Sequence, residues 1–171
     1  MLTFIPETDD DTATIRSLVT AAFGRTSEAE LIEAIRASPN FIPELSLVAA
    51  EDGNVLGHIL FSPIVIESQG GTVPALALAP LAVTPPRQHQ GIGTQLVQAG
   101  LSKCRELDHG IVVVLGEPHY YGRFGFQTAS QIGVQPPFPV PEQVFMVLEL
   151  KPGALINVSG IVRYPAYFDE V

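Results

Sequence analysis

The stretch Arg87 to Leu96, RQHQGIGTQL, stands where a β-rich run has ended and a helical repeat begins. The first backbone N–H groups of any helix have no intrahelical acceptor, and the aligned peptide dipoles make that end partly positive. Gly91 and Gly93 add no side chains there, so an anion such as phosphate can approach those donors closely. Two glycines also simply ease a tight turn, and a bare Gly-x-Gly does not choose between these readings. Two familiar phosphate loops are excluded. A dinucleotide fingerprint needs a third glycine where this chain has Leu96, and no Gly-Lys-Ser/Thr triplet occurs.

Downstream, Ile92, Leu96, Val97, Gly100, Leu101, Cys104 and Leu107 recur at helical spacing, and Cys104 belongs to that buried stripe. After Gly110 comes IVVVL, a β-branched run of the kind found in strands covered on both faces. Upstream, ALALAPLAVTP (75–85) is a strand interrupted by Pro80, which has no N–H for a ladder and so implies an edge or a bulge. Strand, helix and strand form a βαβ unit whose strands should run parallel. Before it, LSLVAAEDGNVLGHILFSPIVIE is two strands around Asp52-Gly53-Asn54, residues suited to a hairpin turn. His58 falls in the second of these, where a packed, hydrogen-bonded ring is the ordinary role.

The N-terminal region reads as a strand followed by two helices. In DDDTATIRSLVTAAFG, Ile15, Leu18, Val19, Ala22 and Phe23 mark one amphipathic helix, with acids in its first turn and Gly24 to close it. The second starts at Ser27, which with Glu30 has the pattern of a capping box, and stops before Pro39. Leu31, Ile32 and Ile35 face its core. The C-terminal part holds an aromatic segment, PHYYGRFGF, a proline-bearing loop, QPPFPVPE, the strand VFMVLEL and a less regular tail.

With 171 residues, 46% hydrophobic and 16% charged, the chain is expected to be one domain, 1–171, built on one core. Its net charge of -9 opposes binding to phosphate backbones or anionic lipid, so neither nucleic acid nor membrane is an expected partner. The acidic start MLTFIPETDDD is unlike a secretory signal, and no apolar run approaches the roughly 20 residues of a membrane helix, so a cytoplasmic protein is expected. The single cysteine fits a reducing compartment and gives no basis for a cysteine-based metal site.

Gln88-His89-Gln90-Gly91-Ile92-Gly93 matches the [Gln/Arg]-x-x-Gly-x-[Gly/Ala] signature of the GCN5-related N-acetyltransferases (GNAT), and the chain resembles that family over nearly its whole length. It is similar to a bacterial, mostly uncharacterised subgroup with PLAV-x-P before the signature (Pro80 to Val83, then Pro85) and YY-x-RFGF after the next strand (Tyr120 to Phe126). The resemblance implies an α/β (α+β) fold: a mixed, mostly antiparallel sheet with helices on both faces and a splayed parallel strand pair at the cofactor cleft.

It further implies acetyl-CoA as acyl donor. The pantetheine would bond the backbone of Leu81, Ala82 and Val83, and the phosphates would rest on Gln88, His89, Gln90, Gly91, Ile92, Gly93 and Thr94. The Val83 N–H would polarise the thioester carbonyl. Tyr121, four residues before Gly125, matches the family's Tyr-x-x-x-Gly-Phe; a phenol of pKa about 10 can protonate a thiolate whose parent thiol titrates near 8.5. The full helix that carries asparagine and alanine in many relatives is replaced by the shorter GEPHYY (116–121), so those contacts do not carry over. Glu117 or His119 stands there as a candidate base for the amine. Arg87 is a candidate for the nucleotide phosphates, and Glu28 and Glu30 either line an acceptor site or cap their helix. The implied activity is transfer of an acetyl group by direct attack of a primary amine, borne by a small molecule or peptide, with no metal. A non-catalytic acyl-CoA-binding module on the same scaffold is the alternative, and a homodimer is compatible with either.

Overall fold

A computed structural model describes residues 1–169. The chain divides into two compact units, one formed by residues 1–62, 79–103 and 166 onward, the other by 63–78 and 104–165.

In the first unit β1 (Leu2–Pro6) lies antiparallel to β2 (Ser46–Glu51), and β2 lies antiparallel to the first part of β3 (Asn54–Ser68). The β2–β3 hairpin turns at Asp52 and Gly53, whose φ angles are 52° and 81°, as that tight turn requires. β4 (Gly71–Val83) is the next hydrogen-bonded neighbour of β3. Helices α1 (Thr12–Phe23) and α2 (Ser27–Arg36) put their apolar stripes into one cluster: Ile15, Leu18 and Val19 from α1, Leu31, Ile32 and Ile35 from α2, and Val48, Leu60 and Ala82 from the strands. All are buried, and truncating one of the leucines or isoleucines to alanine typically removes about 2–5 kcal/mol.

α3 (Ile92–Glu106) covers β3 from the other side. Leu60 joins the α1–α2 cluster, whereas the ring of Phe61 lies against Gly100 of α3, and successive strand residues point to opposite faces. The helices of this unit therefore take both faces of β3. Ile92, Leu96, Val97, Leu101 and Cys104 are buried along α3, as the spacing requires.

In the second unit the start of β4 pairs in parallel with β5 (Ile111–Leu115), at Leu76↔Val112 and Ala77↔Val113. Among the described residues that ladder ends there, although β4 continues to Val83 and β5 to Leu115. This is the expected parallel pair, and it is short. After α4 (Pro118–Gly122) come β6 (Gln127–Thr128), β7 (Val134–Gln135), β8 (Phe145–Glu149) and β9 (Gly160–Arg163). β8 is antiparallel to both β5 and β6, the end of β3 is antiparallel to β9, and β7 runs parallel to β9. The result is a mixed, mostly antiparallel sheet.

Three local expectations need correction, and two short strands were not foreseen. β4 begins at Gly71 and not at Ala75, because it continues directly from the turn that follows β3. β6 and β7 have two residues each, too few to show a period of two. α2 is capped at Thr26, whose hydroxyl donates to Glu30 at 2.9 Å, so the Ser27 capping box does not form. The three aspartates precede α1 in a separate 3-10 turn, Asp9–Asp11.

Candidate functional site

The signature loop begins where β4 ends. The Thr84 N–H donates to the Leu56 carbonyl at 2.8 Å, and Pro85–Arg87 then make one 3-10 turn that the Arg87 N–H closes on Thr84 at 2.9 Å. The side-chain amide of Gln88 donates to the Val83 carbonyl at 3.0 Å and so ties the loop to the last residue of the strand. Beyond it His89 and Gly91 take φ angles of 64° and 86°, the left-handed region, which turn the chain sharply into α3. The first helical bond runs from the Gln95 N–H to the Gly91 carbonyl at 3.1 Å. The N–H groups of the turn before it, at Ile92 and Gly93, thus have no helical acceptor.

Space agrees with this. Gly91 is exposed, and a Cβ built on it would meet only Gln95 Nε2, at 4.0 Å. The residues fit an anionic group laid against open backbone at the positive end of a 15-residue helix. Two expected contributors are already engaged. The backbone N–H of Gln88 donates to the Pro85 carbonyl at 3.2 Å, so it is taken within the loop. Arg87 donates to Gln90 at 2.9 Å and to Glu51 at 3.0 Å; it is an ion pair with the end of β2 and not a solvated cation. Glu51 is the partner that sequence reasoning missed, since nothing in its run of β residues marks it.

In the second unit the tyrosine segment is built by different means. The Gly116 N–H donates to the Val144 carbonyl at 2.9 Å. Glu117 caps α4: its two carboxylate oxygens accept the N–H groups of His119 and Tyr120, at 3.0 and 2.7 Å. Those bonds, that from His119 foremost, lower the Glu117 pKa below the ordinary carboxylate value and make it a weaker base. Tyr121, with 9% of its surface exposed, is wedged edge-on against Tyr120 and Phe126, ring centroids 5.0 and 5.7 Å away. Burial, and secondarily the neighbouring Tyr120, push its phenol pKa well up, so it stays protonated across the neutral range. Gly116 makes the wedge possible, because a Cβ there would overlap the Tyr121 ring. The sequence holds that signal in GEPHYY, but only the packing reveals it.

The remaining candidates fall into ordinary roles. Cys104 is wholly buried, and desolvation pushes its thiol up to about 12, which leaves no thiolate near neutral pH. Glu28 is clamped in a two-pronged pair with Arg25, and Glu30 is held by Thr26. Among the described residues no cluster of His, Cys, Asp and Glu suits a metal ion, and no helix is long and apolar enough to cross a membrane.

A mixed sheet with a short parallel pair, and a strand that leads through Gln-x-x-Gly-x-Gly into a helix, define an acetyltransferase scaffold. The sequence profile of the acetyltransferase (GNAT) domain matches residues 3–129. The chain belongs to the GNAT family. It is 36% identical over 161 residues to YhbS, an uncharacterised N-acetyltransferase of Escherichia coli strain K12, and the match covers 94% of each chain. A crystal structure of YhbS from Escherichia coli in complex with CoA superimposes with a TM-score of 0.90 at 34% identity, covering 98% of this chain and 92% of that one. A GNAT family acetyltransferase from Brucella melitensis, crystallised with acetyl-CoA, is 35% identical with a TM-score of 0.80, covering 99% of both chains.

Proposed function

We propose that this chain is an acetyl-CoA-dependent N-acetyltransferase in which a primary amine, borne by a small molecule or a peptide, attacks the thioester directly. The observation that carries the reading is the signature loop: open backbone donors with an exposed Gly91 at the head of α3, in a chain whose relatives were crystallised with CoA and acetyl-CoA. When bound, acetyl-CoA supplies the activated acyl group and a thiolate leaving group. The amides of His89 to Thr94 hold the pyrophosphate, and Gln88, whose backbone N–H and side chain are both engaged within the loop, acts by positioning it. The backbone of Leu81 to Val83 holds the pantetheine, and the Val83 N–H stabilises negative charge on the carbonyl oxygen.

Tyr121 is the general acid. Its phenol carries a proton throughout the neutral range, and although the burial that raises its pKa also makes it a weaker acid, that proton is there for the departing thiolate. Glu117 has two competing roles. As the cap of α4 it sets the turn that carries Tyr121, and with both oxygens already accepting N–H groups it is poorly suited to take a proton from the amine. The amine therefore arrives neutral, and Glu117 acts by position. Support for direct attack comes from Cys104, whose burial denies the chain its one thiol as an acyl carrier.

A thiol-release assay across a panel of primary amines, run beside calorimetry with acetyl-CoA, tests this. The expected result is tight binding together with amine-dependent release. Tight binding without release on every amine would leave a non-catalytic acyl-CoA module, and failure to bind would remove the reading entirely.

A further inference from the structure

The first unit encloses a polar cluster that the acetyl-transfer chemistry does not use. Glu7, just past β1, Arg36, the last residue of α2, Ser46 of β2 and His58 of β3 meet in it. Ser46 and His58 are fully buried, and the Glu7 side chain is 6% exposed. Arg36 grips the Glu7 carboxylate with Nε and a terminal nitrogen, at 2.8 and 3.3 Å. The Ser46 hydroxyl donates to the same carboxylate and lies 2.8 Å from His58 Nε2, which is also 3.3 Å from Glu7.

Counting protons assigns the tautomer. An ionised carboxylate only accepts, so the single Ser46 proton goes to Glu7, and the contact between Ser46 and the ring requires a proton on Nε2. Nδ1 is then a bare acceptor, and among the described residues this buried atom has no partner. A second proton on the ring must land on Nδ1. It would form a buried N–H with no acceptor and add a positive charge where Arg36 already balances Glu7. Glu7 and Arg36 are the charged groups that act on the ring.

We propose that Glu7, Arg36, Ser46 and His58 form a proton-sensitive latch that fastens the end of α2 and the exit of β1 to the sheet, closed while His58 is neutral and opened when it gains a second proton. Burial lowers the His58 pKa below 6.5, and the attraction of Glu7 offsets this only in part. A lowered folded-state pKa gives stability that is complete above the ordinary value and declines as pH falls below it. Glu7 cannot produce that decline: although burial opposes ionisation, bonds from His58, Arg36 and Ser46 hold its pKa at about 2. Opening is local, because the apolar cluster still anchors the rest of α1 and α2.

Amide hydrogen exchange, corrected for intrinsic rates, tests the latch. Its reporters are Ala37 and Ser38, whose N–H groups close α2 on the carbonyls of Glu33 and Ile35 at 3.1 and 3.0 Å. Between about pH 7.5 and about pH 5.5 their protection should fall about tenfold in the wild type, the equivalent of one pKa unit, with no change at Gly24 at the end of α1. It should not fall in His58→Gln, which keeps a donor in the Nε2 position and cannot titrate. An equal fall in both proteins overturns the proposal. Imidazole 15N shifts of the wild type give a second reading that needs no variant: a bare Nδ1 at about pH 7.5 supports the latch, and a protonated Nδ1 in the neutral ring refutes it.

Discussion

The signature loop and the tyrosine segment are both short connections that carry an expected site, and they are built on opposite terms. The loop at Arg87 to Gly93 leaves the N–H groups of Ile92 and Gly93 without a helical acceptor and space open above Gly91, held in place by side chains at its flanks, Gln88 on Val83 and Arg87 on Glu51. The tyrosine segment has no such slack. Its glycine is filled by a ring, its tyrosine is wedged between aromatic neighbours, and its first helical turn is closed by Glu117. One region leaves donors and space open, and the other holds a side chain still.

That contrast predicts different failures. The largest should come from Tyr121→Phe, which keeps the wedge and removes the proton: kcat should drop about 100- to 10,000-fold with little change in acetyl-CoA affinity, read by steady-state kinetics and calorimetry. Wild-type turnover, with chemistry limiting the rate, would end its role as acid. Next is Gly91→Glu, which puts bulk and charge at the open donors; acetyl-CoA should bind at least about tenfold more weakly while the fold persists. Unchanged affinity in calorimetry would show that the loop does not receive the phosphates.

Gly116→Ala should act in the reverse manner. Overpacking against the Tyr121 ring should cost about 1–3 kcal/mol of stability, with a midpoint lowered by roughly 2–4 °C per kcal/mol. Pairing it with Tyr121→Ala should relieve part of that loss, and strict additivity in the double-mutant cycle would contradict the contact. The smallest effect should come from Glu117→Ala. A carboxylate whose pKa is lowered in the folded state contributes stability above its ordinary pKa of 4.5 and loses it as pH falls further. The variant should therefore melt slightly lower at neutral pH and lose that part of the acid dependence, as thermal scans across pH would record.

The two regions were also unequally legible. Gly91 was legible through the spaced Gln-x-x-Gly-x-Gly signature, and the backbone there takes a φ of 86°. The Tyr121 pattern located the second region, yet its wedge could not be inferred, since that depends on Phe126 and on the ring lying over Gly116. Arg87 and Glu51 lie 36 positions apart, and no local pattern joins them. The latch is more hidden still. Glu7, Arg36, Ser46 and His58 come from four segments, and His58 looks like any strand histidine until its neighbours are known.

What the sequence determined by itself was the family and the succession of the longer elements, though not α4, β6 or β7, because hydrophobic period, turn chemistry and a spaced glycine signature are properties of neighbours along the chain. Only the tertiary structure decided which polar groups are already engaged, among them the Gln88 amide, the Arg87 guanidinium and the Glu117 carboxylate, and which is left bare, the Nδ1 of His58. A hydrogen bond is settled by where the chain returns to, and its cost or gain by whether water is left beside it.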